Sequence, residues 1–382
     1  MFKLLIATPL YPPEIGGPAT FTRFAEEELP KRDVAVAVEK FSDVRHLPKP
    51  IRYIVYFWRL VRAAGKVDVV FALDPFGIGL PALIAARLRG RRFLVRVVGD
   101  RAWETYASRM QKSKIKNQND NVKFKNVDEF QYENFGLGIT LRRWGQRFVA
   151  RRAERVIVPS EFLKRIVSMW GVPEEKMSVV YNSFEPPQES ETKDEARRAL
   201  GLSGSIIVSA GRLVPWKGFS ALIEIMPQIV PDIPDAKLVI IGDGPERERL
   251  RSQSAKCKAQ SVVTLAGALP QNELHRYIRA ADVFVLNSGY EGFSHQLLEA
   301  MALGTPIIAS DIPGNRELIE DSRSGFLVGY NDADALLAAL LRVLREEQVA
   351  VGLVGTAREK VAAFNRARIA ERLVQVLVES TV

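Results

Sequence analysis

The chain has 382 residues, of which 47% are hydrophobic and 26% are charged, and this composition is typical of a soluble globular protein. A chain of this length can form two domains that each bury a hydrophobic core. Its single cysteine, Cys257, excludes an intramolecular disulfide and fits a reducing compartment.

The ends and apolar runs of the chain predict no membrane insertion. MFKLLIATPLYPPE is a short apolar run that ends in prolines, so we expect no signal peptide. The longest uncharged apolar run, PFGIGLPALIAA at 75–86, has 12 residues and is too short to span a bilayer. We therefore expect a cytoplasmic protein that is either free in solution or peripheral on the inner face of a membrane.

The net charge of +9 is unevenly distributed along the chain. Residues 1–180 hold 32 Lys and Arg against 19 Asp and Glu, whereas residues 181–382 hold 22 against 26. A basic first half indicates an anionic partner, such as a phospholipid surface, a lipid-diphosphate acceptor or nucleic acid. A generic solubilising surface is the alternative.

Short apolar runs alternate with helical patterns in the first half of the chain. The runs that predict strands are KLLIA (3–7), VAVAV (34–38), VDVVFAL (67–73), FLVRVV (93–98) and RVIVPS (155–160). Segment 107–138 is rich in Lys, Asn and Gln, so we expect a mobile excursion or a surface insertion there. The stretch 139–155 predicts an arginine-rich helix, which either rests on anionic lipid or packs in the ordinary way.

The second half repeats the alternation. Its strand-like runs are SIIVSAG (205–211), KLVIIGDG (237–244), VVTLAG (262–267), VFVLNS (283–288) and TPIIAS (305–310). Apolar strands alternating with helices predict parallel sheets covered on both faces, and two such series predict two doubly wound, Rossmann-like α/β domains facing a cleft. The joint is placed at 183–196, which gives domains at 1–182 and 183–364 and a C-terminal helix at about 365–382.

Residues 287–310, NSGYEGFSHQLLEAMALGTPIIAS, hold two carboxylates, Glu291 and Glu299. The pattern predicts a strand, a turn at Gly292 and a helix from about Ser294. A loop carboxylate and a helix carboxylate can then converge on one ligand rich in hydroxyl groups, beside a helix N-terminus that can meet an anion. On spacing alone, two solvated glutamates near a helix N-terminus are an equal alternative.

Two loops between a strand and a helix carry groups suited to a phosphate. Gly16 and Gly17, in TPLYPPEIGGPAT, would let the backbone approach a phosphate closely. Arg212 and Lys217, in SAGRLVPWKGFSALIE, are cations at a strand end and suit a diphosphate. Structural turns and ordinary surface cations are the alternatives.

Three other places carry weaker signals. Gly242, in VIIGDGPERERL, is not part of a dinucleotide fingerprint, and a tight turn alone can explain it. Asp100 follows FLVRVVG and either hydrogen-bonds a sugar or an acceptor or caps the next helix. Asp332 and Asp334 form the single Asp-x-Asp, for which helix capping is the better account, so we expect no metal.

The string EGFSHQLLEAMALGTPIIAS resembles the signature of retaining glycosyltransferases with the GT-B fold, specifically glycosyltransferase family four (glycosyl transferases group 1). In that family two Glu residues, separated by seven other residues, precede a small-residue run ending in Gly-Thr-Pro. The PPEIGG loop and the GRL and KGF tripeptides resemble the family as well. Ser294 and His295 depart from it, since Gly and an aliphatic residue are commoner there.

The resemblance implies transfer of a sugar from a nucleotide-diphosphate donor to an acceptor hydroxyl with retention of anomeric configuration. It implies a metal-independent enzyme of the hexosyltransferase type without a cofactor, working in glycan, glycolipid or cell-envelope polysaccharide synthesis. The donor-binding residues that it implies are Gly16, Gly17, Gly211, Arg212, Lys217, Gly242, Leu269, Glu291, Gly292, Phe293, Ser294 and Glu299. The catalytic residues that it suggests are Glu291, Arg212 and Lys217. Asp100 is a further catalytic candidate from its position alone, because it stands where many members have His and no general base can be carried over.

The partners expected from these observations are a UDP- or GDP-sugar, a glycan, lipid-linked or small-molecule acceptor, and an anionic membrane surface met by the basic first half. No nucleic acid is expected. Three alternatives stay open: a GT-B-like sugar phosphorylase or nucleotide-sugar epimerase, a metal-dependent transferase of the other main fold, and a non-enzymatic protein that binds anionic lipid or nucleic acid.

Overall fold

A computed structural model describes residues 1–14, 16–117, 126–133, 135–184 and 191–379, and these fold into two compact units. The first unit comprises Met1–Arg109, the described residues of Asn121–Asn182 and the C-terminal helix from Arg366. The second unit comprises the described residues of Met110–Asp120 and of Ser183–Asn365.

The strands are β1 (Phe2–Thr8), β2 (Val34–Lys40), β3 (Val69–Ala72), β4 (Arg92–Arg96), β5 (Arg155–Val158), β6 (Met177–Val179), β7 (Ile206–Ala210), β8 (Lys237–Ile241), β9 (Val263–Gly267), β10 (Val283–Leu286), β11 (Ile307–Ser310) and β12 (Phe326–Val328). The ten strands predicted from the sequence are all present. The two that were missed, β6 and β12, are edge strands of three residues each. So short a run gives no periodicity to detect.

The helices are α1 (Gly17–Glu28), α2 (Lys49–Ala64), α3 (Gly79–Leu88), α4 (Arg101–Asn117), α5 (Val127–Phe130), α6 (Leu137–Arg152), α7 (Glu161–Ser168), α8 (Lys193–Leu200), α9 (Phe219–Ile229), α10 (Arg247–Lys256), α11 (Gln271–Ala280), α12 (His295–Leu303), α13 (Pro313–Arg316), α14 (Ala333–Arg345), α15 (Glu347–Val361) and α16 (Arg366–Glu379). Within the described part of the chain, no helix is both long and apolar enough to cross a membrane.

The first unit is built on a six-stranded parallel sheet of order β2-β1-β3-β4-β5-β6. Ile6 of β1 lies opposite both Val38 and Phe71, and its side chain is completely buried in the core on one face of the sheet. Helices α1 and α16 pack together, and Phe21 and Leu373 belong to the same core cluster. The connection from β1 to β2 advances in one direction along the sheet, and the connections from β2 through to β5 advance in the opposite direction. Because such crossovers are right-handed, α2, α3 and α6 lie on the face opposite to α1.

The second unit has a parallel sheet of order β12-β11-β10-β7-β8-β9. Helices α9 and α14 contribute Leu222, Met226 and Leu340 to its core. The strands β7 and β10 are neighbours, yet the chain continues from β7 towards β8 and from β10 towards β11. Loops that leave adjacent parallel strands in opposite directions open a crevice at the carboxyl edge, where such sheets bind ligands.

The prediction of a mobile excursion or a surface insertion at 107–138 is wrong for residues 126–133 and 135–138. Phe130 is fully buried, and its ring packs against those of Tyr106 and Phe135 with centroids 5.4 and 4.6 Å away. Asn126 closes a capping box at the start of α5. These aromatic contacts anchor a segment whose polar composition indicated otherwise, and residues 118–125 and 134 lie outside the described residues.

Candidate functional site

The site begins with the loop that follows β7, where Arg212 and Lys217 lie. Gly211 extends the sheet by one hydrogen bond, since its N–H donates to the Ile241 carbonyl at 2.9 Å. Arg212 is exposed, and in the described part of the chain its guanidinium has no hydrogen-bond or ion-pair partner. Arg212 therefore presents all its donors to solvent at the end of a central strand, where an anion could accept them.

Lys217 and Glu291 form an ion pair across the crevice between β7 and β10. The Lys217 Nζ lies 2.5 Å from Glu291 Oε1, and both side chains are largely buried. The residues are 74 positions apart in the chain, so the pair exists only because β7 and β10 are adjacent. The carboxylate holds the ammonium in one position and leaves its other protons available to a ligand.

A hydrogen-bond network fixes the two loops that carry this pair. The Asn287 side chain donates to the Gly218 carbonyl at 3.0 Å, and the Gly289 N–H donates to the Trp216 carbonyl at 2.7 Å. The hydroxyl of Tyr330 donates to the Pro215 carbonyl at 3.3 Å, and burial raises the pKa of this tyrosine. The loops are therefore tied to each other by their backbones, which limits how far Lys217 can move from Glu291.

Glu299 lies on α12 and is 6% exposed. Its Oε1 accepts a hydrogen bond from Gln271 Nε2 at 3.1 Å, and His275 Nε2 lies 3.6 Å away. Its Oε2 is buried without a partner in the described part of the chain. A buried carboxylate oxygen without a donor costs about 1–3 kcal/mol, so the ligand-free protein holds an acceptor that a ligand hydroxyl could satisfy.

The predicted turn and helix after β10 are present. Ser294 is the N-cap residue of α12, and its hydroxyl accepts from the Leu297 N–H at 3.3 Å. Gly292 and Phe293 lie in the turn before the cap, and Phe293 packs its ring on Phe364 at 5.7 Å. The serine that departs from the family pattern thus has a structural task, because its oxygen satisfies a backbone donor at the helix start.

Gly242 and Leu269 lie in the loops that follow β8 and β9. Gly242 has a φ of 138°, and a Cβ there would overlap the carbonyl oxygen of Gly211. The tight-turn alternative therefore explains this glycine, since the loops after β7 and β8 touch through their backbones. Leu269 is partly buried two residues before Gln271, the residue that donates to Glu299.

In the first unit, Gly16 and Gly17 lie at the start of α1, directly after β1. Gly16 is the N-cap residue without a side-chain cap, and a Cβ at Gly17 would meet no atom within 4 Å. The chain continues from β1 towards β2 but from the neighbouring strand β3 towards β4, which is the opposite direction along the sheet. The loop after β1 therefore also borders a topological switch point, where such sheets bind ligands. The backbone there is accessible, as a phosphate-binding loop requires, and its ligand stays a prediction.

Asp100 is fully buried, and its carboxylate accepts four hydrogen bonds. Its Oδ1 accepts from the N–H groups of Ala102 and Trp103 and from Gln146, while Oδ2 accepts from Gln131 at 2.9 Å. A carboxylate so enclosed has no edge turned to a substrate. The geometry favours the capping alternative over a catalytic role.

Asp100→Ala is expected to destabilise the first unit by about 3–5 kcal/mol, because a helix cap is lost and two buried amides lose their acceptor. Chemical denaturation followed by tryptophan fluorescence measures the effect. The control is Asp332→Ala, which removes the cap of α14, a bond to the Ala335 N–H, and should cost about 1 kcal/mol. Unchanged stability of Asp100→Ala with lost turnover would restore the catalytic interpretation.

Within the described residues, no group of three or more His, Cys, Asp and Glu side chains could hold a metal ion. The Asp-x-Asp pair opens α14, where Asp332 caps the helix as expected.

Two family models match the chain in tandem. The model described as "Glycosyl transferase 4-like domain" matches residues 5–183, and the model described as "Glycosyl transferases group 1" matches residues 191–360. The second half of the chain belongs to the glycosyl transferases group 1 family, and the first half matches the glycosyl transferase 4-like domain. The second match contains Arg212, Lys217, Glu291 and Glu299, so these four candidate residues lie in the part of the chain that resembles the glycosyl transferases group 1 model.

Curated members of the family resemble part of the chain. An uncharacterized glycosyltransferase of Methanocaldococcus jannaschii is 33% identical over 54% of this chain and 55% of its own length. A phosphatidyl-myo-inositol mannosyltransferase of Mycolicibacterium smegmatis is 32% identical over 45% of each chain. The chain thus spans about half the length of these relatives in the matches.

The fold matches that of a solved structure. The Anabaena protein HepE, crystallised with UDP-glucose, superposes with a TM-score of 0.77 over 99% of this chain and 100% of its own, at 18% identity. The predicted GT-B architecture of two doubly wound parallel sheets is confirmed.

Sequence reasoning missed several residues of the site. Gln271 and His275 contact Glu299 from α11, and Gln296 of α12 lies beside Gly211. The spacing of Gln271 and His275, one helical turn apart, could have indicated a shared face. Nothing in the spacing linked that face to Glu299.

Proposed function

We propose that the protein transfers a sugar from a nucleotide-diphosphate sugar to an acceptor hydroxyl. The observation that carries this proposal is the buried Oε2 of Glu299, which has no donor among the described residues and lies near the carboxyl edge of a doubly wound sheet. A ribose offers neighbouring hydroxyl groups that can donate to one carboxylate. In the proposed complex the ribose of the nucleotide occupies this position, and Gln271 orients the carboxylate from the other side.

In the proposal the diphosphate lies at the end of β7, against Arg212 and Lys217. The exposed guanidinium of Arg212 can donate to two phosphate oxygens at once. Lys217, held by Glu291, supplies a positive charge in a largely buried place, where it is less screened than at the surface. Negative charge grows on the diphosphate as it leaves, so both cations stabilise the transition state more than the ground state.

The proposed reaction breaks the bond between the anomeric carbon and the β-phosphate oxygen, whose electron pair stays on the phosphate. The acceptor oxygen bonds to the anomeric carbon from the same face, and its proton passes to the leaving phosphate. Glu291 lies beside the sugar and stabilises the positive charge that develops on the ring. Retention and independence of metal are parts of this proposal, supported by the family motif and by the two cations at the diphosphate position.

The acceptor belongs to the proposal as well. Its support is indirect, since one relative is named for the transfer of mannose to phosphatidyl-myo-inositol. We propose a glycan or a lipid-linked acceptor of glycolipid or envelope polysaccharide synthesis. The fold neighbour crystallised with UDP-glucose supports a nucleotide-diphosphate sugar as the co-substrate.

A panel of UDP-, GDP- and ADP-sugars tests the proposal by thermal shift. One of these nucleotide sugars should raise the melting temperature of the protein, because a ligand at about 100 times its Kd stabilises the folded state by about 2.7 kcal/mol. The free sugar and inorganic phosphate are the controls. Stabilisation by no nucleotide sugar would contradict the proposal, and consumption of donor without any acceptor hydroxyl would favour an epimerase.

A further inference from the structure

Exposed apolar side chains are concentrated on one part of the first unit. Of the fifteen large hydrophobic residues exposed in the described chain, eleven lie on α2, α3 and α6, which have only 16, 10 and 16 residues. One of the fifteen, Val351, lies in the second unit. Isolated exposed apolar residues are ordinary, but a cluster of them on adjacent helices indicates an interaction surface.

The three helices form one continuous layer. They connect β2 to β3, β3 to β4 and β4 to β5, and these crossovers all advance in one direction along the sheet. Right-handed connections therefore place the helices on one face, and α3 packs against both α2 and α6. Their inner sides cover the sheet, so their outer sides form one surface.

Large side chains stand on each helix of this surface at helical spacing. On α2, Ile54 and Trp58 are 58% and 63% exposed, and on α6, Leu141 and Trp144 are 64% and 61% exposed. Ile84 projects from α3 between them. Tryptophan is enriched where apolar and polar media meet, because its ring is apolar and its N–H can reach water.

All the charged side chains of α2, α3 and α6 are positive. Their sequences contain ten Lys and Arg residues and no Asp or Glu. Lys49, Arg62, Arg87 and Arg152 are exposed, and in the described part of the chain their side chains have no hydrogen-bond or acidic ion-pair partner. Arginine and lysine stems can lie along an apolar layer while their charged ends reach lipid phosphates.

We propose that α2, α3 and α6 form a docking surface for an anionic lipid bilayer. The apolar side chains enter the boundary between headgroups and acyl chains, and the cations around them bind the phosphates of anionic lipids. Charge complementarity selects this occupant, because the surface offers positive charge without a single carboxylate on its helices. The proposal does not depend on the transfer reaction and needs no nucleotide sugar for its test.

Sedimentation with vesicles measures the binding. The full chain should bind vesicles of equal parts phosphatidylglycerol and phosphatidylcholine at least about tenfold more tightly than pure phosphatidylcholine, and added salt should weaken that binding. Tryptophan emission should shift to shorter wavelength on binding, since Trp58 and Trp144 move out of water while Trp103 and Trp170 are already buried.

Leu141→Asp and Trp58→Asp should each lower vesicle binding by about tenfold, because a large apolar group no longer leaves water. The matched control is Val351→Asp in the second unit, where Val351 is 64% exposed, like Leu141. A second variant, Arg62→Glu with Arg87→Glu, leaves the apolar groups in place and should lower binding to anionic vesicles only.

Three results would overturn the proposal. Leu141→Asp and Val351→Asp could bind vesicles equally well, or the protein could bind neutral and anionic vesicles alike. The third is concentration-dependent dimerisation without lipid that Leu141→Asp abolishes, since the surface would then be an interface between two copies of the chain. Sedimentation velocity of the lipid-free protein distinguishes this last case.

Discussion

Arg212→Ala is expected to lower kcat/KM for sugar transfer by about 100-fold or more. Removing one preorganised donor from a developing anion typically costs about 2.7–4 kcal/mol of transition-state stabilisation. The guanidinium is exposed and, in the described part of the chain, has no partner, so its loss should change folding stability by less than about 0.5 kcal/mol. Steady-state kinetics with the donor found by thermal shift, beside a melting curve, measures both quantities.

Two further variants make this prediction specific. Arg212→Lys keeps the positive charge but loses the planar fork, so it should recover part of the activity and leave kcat/KM between wild type and Arg212→Ala. Arg251→Ala removes another exposed arginine, on α10, and should leave kcat/KM unchanged. Turnover of Arg212→Ala at the wild-type rate would remove Arg212 from the diphosphate site.

The sequence predicts the fold well because both sheets are parallel and buried. Strands such as Val69–Ala72 and Val283–Leu286 are apolar at every position, and such runs between helices leave few other architectures. The edge strands Met177–Val179 and Phe326–Val328 are not predicted, because they lack these features of buried central strands. Each is three residues long and pairs on one side only, so the sequence there needs neither length nor continuous hydrophobicity.

The site is predictable in its residues but not in its pairings. Lys217 and Glu291 each follow from a motif, yet their ion pair depends on β7 lying beside β10, which alternation of strands and helices does not specify. For Asp100 the sequence predicts the residue but does not decide its role. The sequence leaves capping and substrate contact open, and the buried amides of Gln131 and Gln146, 31 and 46 residues away, favour capping.

Glu299→Gln is expected to keep the thermal stability of the ligand-free protein but to weaken its stabilisation by the nucleotide sugar. The carboxylate is 6% exposed, and its Oε2 has no donor in the described part of the chain. Neutralising it removes a buried charge that is only partly compensated, since one of its two oxygens has no donor among the described residues. The ligand-free variant should therefore melt at the wild-type temperature or above. The same change weakens the bonds from the ribose hydroxyls, because hydrogen bonds to a charged acceptor are roughly twice as strong as neutral ones.

Donor-induced stabilisation and kcat/KM should therefore both fall, the latter by about tenfold or more, since a charge-assisted hydrogen bond contributes about 1.5–3 kcal/mol. Glu246→Gln is the matched control in the same unit. Glu246 is 4% exposed, but its carboxylate accepts from Arg249 Nε at 2.6 Å. Its neutralisation should lower the melting temperature and leave the donor response intact. A Glu299→Gln variant that loses stability as Glu246→Gln does, and still gains full stabilisation from the donor, would show that Glu299 supports the fold and does not bind the nucleotide.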